Sequence, residues 1–267
     1  MLLKETELKQ NAAAYAEQQK NISSVAPQIF LNRKKEIFSD YELATRRAAY
    51  YRWKSTESLD KLLIAFEANA IKAGIKVLWA VDVAQAHLEL NAVVNKFQQS
   101  KIHIHTCYNE LETEKLNQPS SINTKNKISI CDAIFVAAEP ATVACFSDKN
   151  FYESDVKILL ASVDKLISSV NELELLMSLQ SLQKSNSGES FSLITSAGHN
   201  SQQQDVYVLI FDNGRSKLLE SQTERQMLHC IDCGICQVVC PVTESIGITG
   251  GNENNYGPPS YIRAVFD

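Results

Sequence analysis

The segment Cys230-Ile-Asp-Cys233-Gly-Ile-Cys236-Gln-Val-Val-Cys240-Pro241 carries the plainest chemistry of this 267-residue chain. Its C-x2-C-x2-C-x3-C-P spacing is the one by which bacterial ferredoxins hold iron–sulfur clusters. Thiolates two residues apart on a tight loop each reach a different iron of one cubane. Gly234 lets backbone amides approach the sulfurs with no Cβ between, and Pro241 turns the chain away. Zinc sites favour two separated pairs, so the spacing points to a [4Fe–4S] cofactor held by Cys230, Cys233, Cys236 and Cys240, and to electron transfer. The fourth ligand stays open. In two-cluster ferredoxins the last cysteine of such a run serves the other cluster, and this chain has a single run. Completion falls to Cys240 folding back, to Cys107, Cys131 or Cys145, or to another subunit. Those three remote cysteines sit in or beside apolar strands and read more readily as small buried hydrophobes.

Other residues offer weaker chemistry. Glu139 ends an apolar run, where α/β sheets place ligand contacts, though a solvated turn accounts for it equally well. Asp212-Asn-Gly-Arg215-Ser216 would cradle an anion through the Gly214 amides and Arg215, but a strand-ending turn uses the same residues. His103 and His105 alternate with Ile102 and Ile104 and so share one strand face, which suits a polar sheet surface better than a metal. His229, next to Cys230, is placed to hydrogen-bond near the cluster. The chain has no Gly-rich phosphate loop, Gly-x-Ser-x-Gly elbow or paired-histidine zinc motif.

The elements that must position these residues follow from periodicity. Residues 1 to about 55 lack strand-like alternation and read as helices broken near Pro27. Ser58 is expected to cap a helix carrying Leu59, Leu62, Leu63, Phe66 and Ala70 on one face and stopping at Gly74. Ile75–Ala80 reads as a strand, Asp82 with Gln85 as a capping box opening a helix to about Ser100, and Lys101–Cys107 as a second strand. Residues 115–127 read as a loop. Ile128–Ala138 and Thr142–Phe146 are strands split by Glu139-Pro140, since proline cannot donate to a ladder. Val156–Ala161 follows, then a Leu-rich helix capped by Asn171, a polar linker, and the strands Phe191–Thr195 and Val206–Phe211. Alternating helices and strands mark an α/β fold with a mainly parallel sheet and flanking helices. The expected organisation is an N-terminal helical arm (1–57), an α/β domain (58–217) and a partial ferredoxin-like segment (218–267).

Composition narrows the partners. With 45% hydrophobic and 21% charged residues and a net charge of −5, the chain is of globular type. An acidic chain without a basic stripe argues against nucleic acid as a partner. The N-terminus turns charged at Lys4, and the longest apolar stretch, Ile128–Phe146, is interrupted by Asp132, Glu139 and Pro140. Neither a secretory signal nor membrane insertion is therefore expected, and a cytoplasmic location is. Clustered thiols fit such a reducing compartment.

Several segments together resemble a known family, the LUD-domain proteins of bacterial lactate utilisation, and in particular their iron–sulfur subunit. They are Phe66-Glu-Ala-Asn-Ala70 before Val77-Leu-Trp-Ala80, Cys131-Asp-Ala-Ile-Phe-Val-Ala-Ala-Glu139, Val208-Leu-Ile-Phe-Asp-Asn-Gly-Arg-Ser216, the cysteine run, and Gly250-Gly251 through Tyr256-Gly-Pro-Pro259. The resemblance implies an α/β domain of the kind shared with sugar-phosphate isomerases and CoA transferases, joined to a ferredoxin-like tail. It also implies a complex oxidising L-lactate to pyruvate, in which this subunit relays electrons between donor and acceptor proteins. This chain differs from the family in a shorter section from Lys101 to Lys127, in Glu139-Pro140-Ala141 where Glu-Thr-Gly is common, and in ending at Asp267 without a second cysteine run. It thus resembles a shortened or divergent member. Two other functions fit the same residues: an α/β enzyme binding a small carboxylate near Glu139 and Arg215, and a cluster-poor subunit that scaffolds partners.

Overall fold

The computed structural model describes residues 31–97, 100–106, 111, 116, 126–182, 190–197, 204–233 and 235–238. The expectations for Pro27, Cys107, the 183–189 linker, Gly234, Cys240 and the Gly250–Pro259 stretch lie outside the described residues, as does most of the 115–127 loop. Helices α1 (31–37), α2 (Tyr41–Glu57) and α3 (Leu59–Lys72) come first. Strand β1 (Lys76–Ala80), helix α4 (Val83–Lys96) and strand β2 (Ser100–His105) follow, then β3 (Asn126–Glu139), β4 (Thr142–Ser147), α5 (Lys149–Tyr152), β5 (Val156–Ser162) and β6 (Leu166–Ser169). Helix α6 (Val170–Gln180), strands β7 (Ser190–Ile194) and β8 (Asp205–Phe211), and the one-turn α7 (Ile235–Val238) complete the order. The described residues fall into two compact units, one within 48–174 and 186–229, the other within 31–47, 175–182 and 230–238. No described helix is long and apolar enough to cross a membrane.

The first unit is built around β3. Its near-continuous apolar run suits a strand covered on both faces, and each half of it has its own partners. Ile128 to Asp132 pair in parallel with β5, and Asn126 to Cys131 with β2. A register shift between Ala133 and Phe135 then bends the strand. Beyond it β3 pairs antiparallel with β4 through the Glu139-Pro140-Ala141 turn and in parallel with β6, while β7 adds antiparallel to β4. Five strands in the order β1-β8-β5-β3-β2 are all parallel, as the helix–strand alternation predicts. Strand β4, expected only as a strand, proves to be the return arm of a hairpin.

Alternation along the central strands feeds two cores. Val206, Val208 and Ile210 face the cluster holding Leu59, Leu62, Phe66 and Ala70 of α3. Tyr207, Leu209 and Phe211 face the one holding Ala86, Leu90, Val93 and Val94 of α4. Both helices carry the apolar stripe that their sequences show, and helices on both faces are what an all-parallel sheet requires.

Local signals were right about Asp82 and wrong about two other caps. The Asp82 carboxylate accepts from the Gln85 N–H at 2.8 Å, and Gln85 Oε1 accepts from the Val81 N–H at 3.0 Å, so the reciprocal bond falls one residue earlier than in a standard capping box. Ser58 makes no side-chain cap; its hydroxyl donates backward to the Lys54 carbonyl at 2.7 Å, because α2 runs straight up to it and places that carbonyl within reach. Helix α6 starts at Val170, and Ser169, not Asn171, supplies the cap by accepting from the Asn171 N–H at 3.2 Å. The four-residue β6 just before it was not anticipated, since so short a run shows no alternation to read.

The turn after α3 needs a left-handed residue. Gly74 has φ 76°, and a Cβ built there would lie 3.4 Å from the Ala197 Cβ. Gly74→Ala is expected to lower unfolding free energy by about 1–2 kcal/mol while leaving helix content unchanged. Urea denaturation followed by far-UV circular dichroism checks this, and an unchanged midpoint would refute it.

Candidate functional site

Cys230 and Cys233 are partly exposed thiols on the loop that leads into α7, and Cys236, also partly exposed, lies in its first turn. Asp232 turns that loop with a φ of 53°, which aims its N–H at the Cys230 sulfur, 3.4 Å away. The Asp232 Oδ1 lies 3.5 Å from the same sulfur. Burial pushes the Cys233 thiol above its usual range, with a smaller push from the charges of Cys236 and Asp232, while a hydrogen bond donated by the Ile235 N–H works the other way. Two sulfurs of the run therefore already receive backbone N–H groups, the donors that stabilise sulfur-borne charge in clusters. Among the described residues no three His, Cys, Asp or Glu side chains converge closely enough to hold a metal ion.

Two residues far away in sequence attend the loop, and local motifs gave no hint of them. The Gln180 amide, at the end of α6, donates to the Ile231 carbonyl at 3.0 Å. Tyr41, at the start of α2, has its hydroxyl pKa raised by burial and then by the charge of Cys233. Their types are common and their separations large, so only the fold reveals them.

In the sheet-bearing unit, Arg52 and Arg215 form a buried polar hub with Asp164. Arg52 is 2% exposed. It donates to the carbonyls of Leu166 (3.1 Å), Leu228 (2.5 Å) and Asp164. Arg215 Nε lies 3.3 Å from Asp164 Oδ1, and the guanidinium sits over the Phe211 ring. Ser162 donates to the same carboxylate. Asp212, Asn213 (φ 45°) and Gly214 (φ 79°) form the strand-ending turn ahead of Arg215, with Asp212 accepting from the Ser216 N–H and hydroxyl at 2.7 Å each. Of the two readings of this segment, the geometry is that of the turn: Arg215 is taken up by Asp164. Glu139 stands exposed at the β3–β4 turn, its backbone in register with Ser169.

The remaining candidates have local partners. His103 Nε2 lies 3.0 Å from an Asp148 carboxylate oxygen, the Asp148 side chain coming from the N-cap of α5. Cys131 and Cys145, on β3 and β4, are 4% and 0% exposed. A hydrogen bond to Cys145 and then burial hold the Cys131 thiol well above its usual range, and both side chains pack in the core as small hydrophobes do. Burial pushes the His229 pKa down, and the Arg52 charge adds to it, so that ring is neutral.

No protein-family model matches the chain. It is 28% identical over 150 residues to lactate utilization protein B of Oceanobacillus iheyensis, covering 52% of this chain and 30% of that protein. To the protein of the same name from Bacillus cytotoxicus it is 33% identical over 117 residues, 41% of this chain and 23% of that one. The Bacillus thuringiensis protein gives 32% over 97 residues, 34% of this chain and 20% of that one. The aligned stretches thus span less than a third of these relatives. A DUF162-family crystal structure from Deinococcus radiodurans superimposes with a TM-score of 0.44 at 13% identity, over 58% of this chain and 98% of that one. These matches agree with the resemblance read from the motifs: over part of its length the chain is similar to lactate utilization B proteins.

Two outcomes follow from the hub. Arg52→Met leaves three buried carbonyls without their donor and is expected to cost at least about 3 kcal/mol of stability, measured by urea unfolding; a loss near zero would show that the carbonyls find other donors. Glu172, packed near it, has its pKa raised by burial, partly offset by the Ser168 N–H and the charges of Lys54 and Arg52. A carboxyl whose folded pKa is raised contributes fully below the unfolded range and loses that contribution as pH rises through the folded value. Stability of Glu172→Gln relative to wild type should therefore rise from about pH 4 to about pH 7, and the opposite slope would contradict the assignment.

Proposed function

We propose that this chain is an iron–sulfur electron-relay subunit of an assembly that oxidises L-lactate to pyruvate. The observation that carries the proposal is the loop of Cys230, Cys233 and Cys236, in which the Asp232 and Ile235 amides are directed at sulfur. Three thiols at two-residue spacing with backbone N–H donors beside them fit a [4Fe–4S] cluster by their donor chemistry. Such a cluster, when bound, accepts and releases one electron at a time. Lactate oxidation yields two electrons and two protons, so a one-electron carrier passes them on singly.

In this reading Cys230, Cys233 and Cys236 are three of the ligands, with Cys240 or a thiolate from another subunit as the fourth. The Asp232 and Ile235 N–H groups spread the negative charge of the bound thiolates. Gln180 fixes the loop backbone at Ile231. The burial of Cys131 and Cys145 within the core of the sheet argues against either as the fourth ligand. The name carried by the relatives supports a role in lactate utilization; the partners in this reading are the other subunits of the assembly, including electron donor and acceptor proteins.

Anaerobic reconstitution with iron and sulfide, iron counting and electron paramagnetic resonance test this. The wild type is expected to take up a cluster, and Ser at Cys230, Cys233 or Cys236 to abolish it or weaken it strongly. Cys240→Ser separates local from shared ligation: with a partner supplying the fourth thiolate, the isolated wild type readily loses one iron and the variant behaves as it does. An air-stable four-iron cluster that requires Cys240 would show all four ligands to be local. Failure of the wild type to bind iron under any of these conditions would favour the scaffolding role instead.

A further inference from the structure

The three adjacent parallel strands β1, β8 and β5 end together, and a cavity of about 340 Å³ opens at that edge, beside Ala80, Asp212 and Val163. Ligands of α/β sheets bind outside the carboxyl ends of strands, and small-molecule sites have volumes of roughly 300–1,000 Å³. The walls are apolar: Leu59 and Leu63 of α3, Trp79 of β1, Val163 and Ile210. Trp79 is fixed by its Nε1–H, which donates to Glu67 at 2.9 Å. The rim carries three polar side chains, Gln85, Asp212 and Ser216, and no cation.

The chemistry of the rim selects the occupant. Gln85 Oε1 is engaged by the Val81 N–H, which leaves its neutral Nε2 amide as a donor on the rim. Each Asp212 oxygen accepts one bond from Ser216, and a carboxylate oxygen has two lone pairs, so each can accept another. The cavity thus offers an apolar chamber with an acceptor-only, negatively charged group at its mouth. Arg215 is paired with Asp164 and is not among the lining residues.

We propose that this cavity is a binding site for a small, largely apolar molecule, aromatic or aliphatic, with a cationic or hydrogen-bond-donating head that rests on Asp212. Carboxylates are disfavoured by the Asp212 charge, and lactate, which is small, hydrophilic and anionic, is among them. The site is therefore distinct from whatever oxidises lactate, and it stands whether or not the cysteine loop carries a cluster.

The test uses the full chain and two probes with the same body, tryptamine and indole-3-propionate, titrated by ¹H–¹⁵N NMR. Tryptamine is expected to shift the amides of Ala80, Val81 and Asp212 and to bind about fivefold tighter than the propionate, the scale of one partly exposed ion pair. Asp212→Asn should bring the two affinities to within about twofold. Leu63→Trp, which fills the chamber from α3, should abolish the shifts while the far-UV spectrum stays native, so a folding failure of the Asp212 variant leaves the proposal testable. Equal or tighter binding of the propionate, tryptamine binding that survives Leu63→Trp in a folded protein, or no binding of either probe would each overturn it.

Discussion

A guanidinium with almost no access to water sets the terms for the sheet-bearing unit. Arg52 can stay charged there only if its N–H groups find acceptors, because an unpaired buried cation costs several kcal/mol. The acceptors come from three places: Asp164 in the link between β5 and β6, Leu166 at the start of β6, and Leu228 shortly before the cysteine run, 112, 114 and 176 residues away along the chain. One side chain of α2 therefore ties helix, sheet and the approach to the tail into a single requirement. Asp164 serves twice, since its carbonyl takes Arg52 while its carboxylate faces Arg215 and Ser162. The turn after β8 inherits its position from this pairing, and with it the direction in which Asp212 and Ser216 face.

Much of the sheet was legible because burial on both faces leaves a long apolar run. β3, β5 and β8 read as such runs, and the Glu139-Pro140 interruption marked the β3–β4 boundary because proline lacks the donor that a ladder needs. Strand order was not legible. β1 and β2 are joined by α4 yet lie at opposite edges of the parallel sheet, and only the complementarity of finished faces decides that. Ser58 and Ser169 show the limit for caps: a hydroxyl chooses between the carbonyl behind it and the amide ahead, and the choice depends on where the preceding element ends.

The cysteine loop was visible for the opposite reason, since its chemistry is set by contiguous spacing. Its attendants, Gln180 and Tyr41, were invisible because nothing distinguishes them from other glutamines and tyrosines until the fold brings them close. Arg215 looked available for an anion in the sequence because a lone arginine after Asn-Gly carries no sign of its ion pair. The sheet-edge cavity was equally hidden, its walls being assembled from α3, β1, the start of α4, and the ends of β5 and β8.

The position of β1 bears on how the chain is made. Its ladder partner is β8, and Lys76 pairs with Tyr207, 131 residues downstream. At synthesis rates of about 5–20 residues per second, β1 waits roughly 7–26 seconds on the ribosome before its partner exists. Through that interval Val77, Leu78 and Trp79 have only α3 and α4 for cover, so the nascent chain depends on early docking of those two helices to stay out of aggregation.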